Sequence, residues 1–203
     1  MPTRRTALVL AALLSTFVAV LWGTIAAFGV FPADSATAAE VAEQRLGRAG
    51  LAIPHALAFL GEPSVAAAWT ALLAVAMGRS LGRRYGILVV AAAGVAVITT
   101  TIKVIADRPR PQAGQGLDPS FPSGHTAYVT AVLGLTAVLL AERGRWRFAA
   151  VAVLIVAAMG PSRVVLGVHW LSDVLAGYAI GLAWLGLVLA FGLPWARAQT
   201  ANT

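Results

Sequence analysis

The sequence predicts an all-α protein, a polytopic bundle of six transmembrane helices. Hydrophobic residues make up 59% of the 203 positions and charged residues only 11%, and the mean hydropathy is +0.82. A soluble domain carries about 25% charged residues. A chain this apolar cannot cover itself with polar surface, so we place it in a bilayer.

Six apolar segments approach the length of about 20 residues that a membrane-spanning helix needs. They cover residues 7–30, about 62–78, 86–105, 124–141, 147–166 and 170–194. The second span has an alternative, earlier start in the stretch LAIPHALAFL. The sequence has no repeat, low-complexity tract or soluble domain, so residues 1–203 are predicted to form a single domain.

The first span needs a separate argument, because it resembles a secretory signal. Arg4 and Arg5 precede the apolar run, and Ala36-Thr37-Ala38 resembles a signal-peptidase site. The apolar core of a signal peptide has about 7–15 residues, and this run is longer. We therefore predict an uncleaved first helix, with cleavage as the alternative.

The connection between the first two spans contains the stretch SATAAEVAEQRLGRAG. Its spaced apolar and charged residues are typical of a short amphipathic helix that lies on the membrane surface. We expect one such helix between the first two spans.

The distribution of arginine predicts the orientation of the bundle. If the N-terminus is cytoplasmic, nine of the fifteen basic residues lie on inner segments, and seven of the eight acidic residues lie outside. An excess of basic residues on cytoplasmic segments is the rule for membrane proteins. Arginine dominates over lysine in a chain rich in Ala and Gly, which is typical of GC-rich bacterial genomes. We therefore predict a bacterial cytoplasmic membrane protein with both termini inside.

Composition also excludes several kinds of site. The chain has no cysteine, which excludes disulfides, thiolate metal sites and cysteine nucleophiles. The net charge of +7 is compatible with a nucleic-acid partner. However, the basic residues are scattered between apolar runs and form no phosphate-binding stripe, so we predict no nucleic-acid binding.

Polar residues interrupt the apolar pattern at three places, the first being KVIADRPRP at residues 103–111. Lys103 is the only lysine of the chain, and it lies at the predicted outer end of the third span. Taken alone, this patch is typical of an interfacial helix end, anchored by long basic side chains and stopped by prolines.

The second patch is FPSGHTAY, residues 121–128, which opens the fourth span. Ser123 is a plausible N-cap, and the free backbone N–H groups of Gly124 and His125 would then point outward. A helix start of this kind binds anions readily. Simple capping is the alternative, but it does not account for His125.

The third patch is SRVVLGVHWLSD, residues 162–173. His169 and Asp173 are four residues apart, which places them on one face of a helix, where the carboxylate can orient the imidazole. Arg163 joins the same site only if the chain turns between it and His169, and Gly167 could permit that turn. A buried ion pair with a satisfied histidine is the alternative, but three ionisable groups are costly inside a membrane.

The predicted alternation of the spans brings all three patches to the outer membrane face. Together they offer three cations, a helix N-terminus, two histidines and an orienting aspartate. This set of groups predicts a phosphate site with a nucleophile and a proton donor. His169 is the preferred nucleophile, because only this histidine has a carboxylate four residues later.

These three patches resemble the signature of the type 2 phosphatidic acid phosphatase superfamily, which also includes bacterial acid phosphatases and vanadium-dependent haloperoxidases. Its parts are Lys-x6-Arg-Pro, Pro-Ser-Gly-His and Ser-Arg-x5-His-x3-Asp. They match residues 103–111, 122–125 and 162–173 in the same order and with the same spacings. The six-residue spacing selects Arg110, which leaves Arg108 as an auxiliary cation without an assigned role.

The resemblance implies a hydrolase that needs neither metal nor cofactor and works through a phosphohistidine. The implied catalytic residues are His169 as nucleophile, Asp173 as its orienting carboxylate and His125 as the proton donor to the leaving group. The implied phosphate-binding residues are Lys103, Arg110, Ser123, Gly124 and Arg163.

The hydropathy selects the lipid-phosphatase branch of this superfamily, with the active site facing the periplasm or the exterior. The expected partners are the bilayer and a lipid phosphate substrate. The sequence makes no prediction about protein partners. Undecaprenyl diphosphate, phosphatidic acid and phosphatidylglycerol phosphate all fit. The short loop QAGQGLDPSF, charged only at Asp118, slightly favours the diphosphate. The alternative is a protein that binds or transports a lipid phosphate without hydrolysing it.

Overall fold

The computed structural model describes residues 3–43, 47–111 and 118–200, and it is helical with no strand in those ranges. The elements are α1 (Arg4–Phe28), α2 (Pro32–Glu43), α3 (Arg48–Leu60), α4 (Pro63–Leu81), α5 (Arg83–Ala93), α6 (Val95–Ala106), α7 (Gly124–Glu142), α8 (Trp146–Val165), α9 (Leu171–Leu187), a π-helical turn (Val188–Gly192) and α10 (Leu193–Thr200).

The six predicted membrane spans are confirmed. The helices long and apolar enough to cross a membrane are Arg4–Phe28, Pro63–Leu81, Arg83–Ala106, Gly124–Glu142, Trp146–Val165 and Leu171–Ala198. The third of these consists of α5 and α6, and the sixth consists of α9, the π-helical turn and most of α10. The chain is an all-α, multi-pass membrane protein.

The third span is divided at Gly94, where the ring of Trp184 from α9 comes close. A Cβ atom at Gly94 would lie 3.3 Å from that ring, so a larger side chain would push Trp184 away. The indole Nε1 of Trp184 donates a hydrogen bond of 2.9 Å to the carbonyl of Ala91. The same carbonyl accepts the N–H of Gly94 at 3.0 Å, so the indole adds a second hydrogen bond at the break.

The connection between the first two spans differs from the prediction. Two helices, α2 and α3, stand where one amphipathic helix was expected, and residues 44–46 of that stretch lie outside the described residues. The alternative early start of the second span is wrong, because LAIPHALAFL belongs to α3 and ends at Gly61. The second span begins at Pro63, which occupies the first turn of α4, where a proline costs no hydrogen bond.

Helices α7 and α9 form the centre of the bundle and pack closely through two glycines. A Cβ atom at Gly177 would lie 2.7 Å from the carbonyl oxygen of Ser123, and one at Gly181 would lie 2.7 Å from that of Ala127. Glycines four residues apart are a common means of close helix approach in membranes. As a result, the N-terminal ends of α7 and α9 lie side by side.

The opposite end of the bundle carries arginines that contact neighbouring helices. Arg197 of α10 forms a 2.8 Å ion pair with Glu142 at the end of α7. Arg84 donates a 2.8 Å hydrogen bond to the carbonyl of Trp195, and Arg4 lies 4.4 Å from the ring centre of Phe191. The signature motifs and this arginine-rich end therefore occupy opposite ends of the helices.

Candidate active site

The turn between α8 and α9 reverses the chain between Arg163 and His169 and so keeps both at one end of the bundle. Gly167 has φ +66°, a conformation that glycine adopts at little cost. Its N–H donates to the carbonyl of Val164 at 2.8 Å, and the N–H of Val168 donates to the carbonyl of Arg163 at 3.2 Å. This pair of bonds is a Schellman motif, which ends a helix and reverses the chain. The turn predicted at Gly167 is therefore present.

His169 and Asp173 are in contact, although not in the way that their spacing predicts. His169 precedes Trp170, the N-cap of α9, so it does not lie on the same helix as Asp173, and the predicted shared helix face is wrong. Asp173 instead turns back from the first turn of α9. Its Oδ2 accepts the backbone N–H of Trp170 at 2.9 Å and lies 3.5 Å from Nδ1 of His169.

The environment of His169 keeps its imidazole neutral. His169 is 3% exposed and lies in the turn between two membrane spans. Burial lowers its pKa from 6.5 to about 4, and the neighbouring Asp173 opposes that shift, while Lys103 and Arg110 add to it. At neutral pH the ring therefore keeps a lone pair that can attack an electrophile.

The first motif folds back over this site at the end of α6. Asp107 ends the helix in a left-handed conformation with φ 41°, which aspartate tolerates better than most residues. Lys103 donates to the backbone carbonyls of Pro119 and Ser120. Arg110 donates from Nη1 to the carbonyl of Val168 at 2.8 Å, which links the first motif to the turn before His169.

The second motif begins α7 as predicted, with Ser123 as the N-cap residue. The expected side-chain cap is absent, because the hydroxyl of Ser123 pairs instead with that of Thr126 at 3.0 Å. The backbone N–H of Ser123 donates to the carbonyl of Asp173 at 3.0 Å, which joins the second and third motifs directly. Gly124 lies beside the stem of Lys103, since a Cβ atom there would be 3.8 Å from Lys103 Cε.

His125 lies between α7 and the end of α3. Its ring hydrogen-bonds with the backbone of Ala58 and packs against Gly61, where a Cβ atom would come within 2.1 Å of the ring. Nε2 of His125 is buried without a hydrogen-bond partner, and so is Nε of Arg163. Most buried polar atoms in proteins are paired, so these two nitrogens are available to a ligand.

The structure thus brings all eight predicted site residues to one end of the bundle, through contacts among the three motifs. The loop that joins the first two motifs is described only in part, since residues 112–117 lie outside the described residues. Within the described ranges, no group of three or more His, Asp or Glu side chains could hold a metal ion.

Sequence reasoning missed a buried ionic network behind this site. Arg108, which the motif spacing left without a role, pairs with Asp173 at 2.5 Å and with Asp34 of α2 at 2.8 Å. Ser172 also contacts Asp34, through its hydroxyl at 2.6 Å. The repeated Arg-Pro of the first motif was the one available signal for Arg108, while Asp34 belongs to no motif.

Comparison of the sequence with those of known proteins identifies phosphatases among its relatives. Part of the chain is 41% identical over 80 residues to a lipid A 1-phosphatase of Rhizobium johnstonii, which is 39% of this chain and 30% of that protein. The chain is also 42% identical over 82 residues to a non-specific acid phosphatase of Salmonella typhi, or 36% of this chain and 28% of that protein. The chain therefore spans about three tenths of the length of these curated relatives.

A solved structure gives the fold over nearly the whole chain. It is the transmembrane PAP2 type phosphatidylglycerolphosphate phosphatase of Bacillus subtilis, with a TM-score of 0.81 and 24% identity. The alignment covers 91% of this chain and 96% of the other. At the level of families, the PAP2 superfamily model matches residues 84–196, more than half of the chain and all three motifs. The chain belongs to the PAP2 superfamily.

Proposed function

We propose that this protein is a membrane lipid phosphatase that hydrolyses a lipid phosphate or diphosphate through a phosphohistidine intermediate. One observation carries the proposal. A buried neutral histidine, His169, has its Nδ1 3.5 Å from a carboxylate oxygen of Asp173 and stands in one cluster with three cations and a second histidine. A site that only binds phosphate needs the cations but not a nucleophile held ready for attack.

The first chemical step forms a bond between Nε2 of His169 and phosphorus, and the bond from phosphorus to the leaving oxygen breaks. Asp173 stabilises the positive charge that develops on the imidazole, as the carboxylate does in other His–Asp pairs. Lys103, Arg110 and Arg163 hold the equatorial phosphoryl oxygens, where charge spreads in the transition state. Arg110 bonds to the turn before α9 and Arg163 begins that turn, while Lys103 lies close enough to interact electrostatically with both.

His125 serves as the proton donor in that step. Its other ring nitrogen bonds with the backbone of Ala58, and its buried Nε2 has no partner in the protein. In the imidazolium form the ring therefore carries a free proton on Nε2, which it gives to the departing oxygen. In the second step a water molecule gives up a proton to His125 and attacks phosphorus. The phosphorus–nitrogen bond breaks, free phosphate leaves, and both histidines return to their starting states.

An apolar pocket supports a lipid as the substrate. It has a volume of about 310 Å³ and lies between α1, α6 and α9. Its lining includes Val18, Trp22, Ile98, Ile102, Phe121 and Ile180. No site residue of the described ranges lines the pocket, but Ile102 is next to Lys103 in the chain and Phe121 is two residues before Ser123, so one end of the pocket lies near the level of the site. A substrate with a phosphate on a hydrocarbon tail fits this arrangement, with its head group at the cations.

The names of two relatives agree with this class of substrate, since one is a lipid A 1-phosphatase and the other a phosphatidylglycerolphosphate phosphatase. Among lipids we favour undecaprenyl diphosphate over phosphatidic acid and phosphatidylglycerol phosphate. The segment before the second motif offers little charge beyond Asp118 to grip a large polar head group. A second phosphate needs only the cation cluster.

We further propose that the protein lies in a bacterial cytoplasmic membrane with this site facing the exterior, and that it needs no divalent metal. The three cations of the site take the place of the positive charge that a metal supplies in other phosphatases. Activity that persists in a chelator, and inhibition by vanadate, would support this part of the proposal. A magnesium requirement that survives controls for substrate aggregation would contradict it.

The proposed function is tested by phosphate release from a panel of substrates in detergent micelles. The panel contains undecaprenyl diphosphate, phosphatidic acid, phosphatidylglycerol phosphate, a lipid A 1-phosphate and the soluble p-nitrophenyl phosphate. We expect a higher kcat/KM for at least one lipid than for the soluble ester, with the diphosphate first. A clear preference for the soluble ester would contradict the lipid assignment, and binding without release would favour the non-hydrolytic alternative.

A further inference from the structure

We propose that Asp34, on the helix that follows the first span, is a positioning residue for Asp173 and acts through Arg108. Its role is to neutralise Arg108, so that the negative charge of Asp173 stays available to His169. This inference rests on the proposed function of His169 as the nucleophile. It concerns a residue outside the three signature motifs.

Arg108 stands between the two carboxylates. Its Nη1 donates to Oδ1 of Asp173 at 2.5 Å and to the hydroxyl of Ser172 at 2.7 Å, and its Nη2 donates to Oδ2 of Asp34 at 2.8 Å. Each of these residues is at most 5% exposed. Buried ion pairs interact more strongly than exposed ones because little water screens them. The charge on Arg108 therefore acts directly on Asp173.

Asp34 also fixes the first turn of α9 from outside that helix. Its Oδ1 accepts the backbone N–H of Ser172 at 2.8 Å, and its Oδ2 accepts the Ser172 hydroxyl at 2.6 Å. The N–H groups of a first helical turn have no partner within their own helix. Asp34 accepts the N–H of Ser172, and Asp173 accepts the N–H of Trp170. Both carboxylates thus hold the turn that carries Asp173.

The charges explain why two carboxylates are present. Asp34 and Asp173 together carry two negative charges against the single positive charge of Arg108, so the network keeps one net negative charge next to His169. Without Asp34, Arg108 would be balanced by Asp173 alone, and the net charge would be zero. The imidazolium that develops as His169 attacks would then lose much of its stabilisation. Loss of Asp34 should therefore slow the chemical step and leave the binding of the phosphate unchanged.

The test is the Asp34→Asn substitution, which keeps the shape of the side chain and removes its charge. We expect kcat to fall about 10- to 100-fold, the size of loss seen when a group that orients a ligating histidine is removed, with KM within about twofold of wild type. Both constants are measured per mole of protein that elutes as a single peak in size exclusion. Glu40→Gln is the matched control, because it removes an exposed carboxylate from the same helix.

The double variant Asp34→Asn/Arg108→Gln tests the route through Arg108. If Asp34 acts by neutralising Arg108, loss of both charges restores the negative charge of Asp173 and brings kcat to within about tenfold of wild type. The variant removes both members of the Arg108–Asp34 pair, and Asp173 keeps the backbone N–H of Trp170 as a hydrogen-bond donor. The double variant therefore tests the proposal even if Asp34→Asn alone does not fold.

Three results separate the possibilities. A kcat for folded Asp34→Asn equal to that of Glu40→Gln would overturn the proposal. A folded double variant that has lost more than about 100-fold in kcat would overturn the route through Arg108. A wild-type protein that releases no phosphate from any lipid would refute the proposed function itself, and this is measured before any variant is made.

Discussion

The turn that ends α3 makes a steric prediction about the proposed proton donor, His125. In Gly61→Ala, the new Cβ atom would lie 2.1 Å from Cδ2 of His125. Non-bonded carbon atoms rest about 3.5–4.0 Å apart, so the ring must move by about 1.5 Å. A misplacement of about 1 Å in an active site can cost about 10²-fold in rate. We therefore expect kcat for a lipid phosphate to fall about 100-fold, or about 2.7 kcal/mol in activation free energy.

This loss should depend on the leaving group. The backbone of Gly61 has φ −90° and ψ −1°, which alanine can adopt, so the fold should persist. Because His125 is proposed to protonate the leaving oxygen, p-nitrophenyl phosphate, whose leaving group is acidic, should lose much less activity than a lipid ester. Initial rates on both substrates measure the difference.

Gly23→Ala is the control for this prediction, since Gly23 has nothing within 4 Å of its Cβ position. If Gly61→Ala has the same rates as this control, the prediction is refuted. The turn at the end of α3, and not the ring of His125, would then have moved to make room for the new Cβ atom. An equal loss of activity on both substrates would be consistent with displacement of the His125 ring, but it would contradict the role of His125 as proton donor.

Four further tests concern the nucleophile, its protonation state, the orientation in the membrane and the lipid pocket. His169→Ala should abolish turnover and the incorporation of labelled phosphate, and Asp173→Asn should cost up to about 10⁴-fold in kcat; near wild-type activity in either would contradict its role. Because His169 must be neutral, kcat/KM should rise with pH across a pKa near 4; a rising limb near 6.5, on a substrate whose own phosphate does not titrate there, would contradict this. An impermeant thiol reagent on intact cells should label Ala39→Cys but not Glu142→Cys, and the reverse would reject the orientation. Ala19→Trp should raise KM for a long-chain lipid about tenfold by overfilling the pocket without changing KM for a soluble ester, and equal effects would exclude the pocket as a tail site.

The fold could be predicted from the sequence because its main signal is local. A span of about 20 apolar residues needs no knowledge of its neighbours to be recognised, and all six predicted spans are present in the structure. The start of the second span was less certain from hydropathy alone, because hydropathy does not show where one helix ends and the next begins. LAIPHALAFL is as apolar as a span, yet it forms the separate helix α3, because Gly61 ends that helix and Pro63 begins the next.

The candidate site was predictable as a set of residues but not as a geometry. Motif spacing selected Lys103, His125 and His169, and the turn at Gly167 followed from glycine's tolerance of positive φ. The contact between His169 and Asp173 was expected on one helix face. It arises instead across a helix start, since Asp173 turns back toward the N-cap. A spacing of four residues is compatible with both arrangements, so the sequence could not distinguish them.

The membrane class, the six spans and the residues of the three motifs could be predicted from hydropathy and spacing, because these are properties of short segments. The contacts of Arg108 and the participation of Asp34 depend on how the helices pack. Asp34 lies 74 positions from Arg108 and 138 from Ser172, and it meets them because α2 packs beside the start of α9. Burial makes each of these ionic contacts strong, and burial is decided by which helices pack together, not by any pattern within one of them.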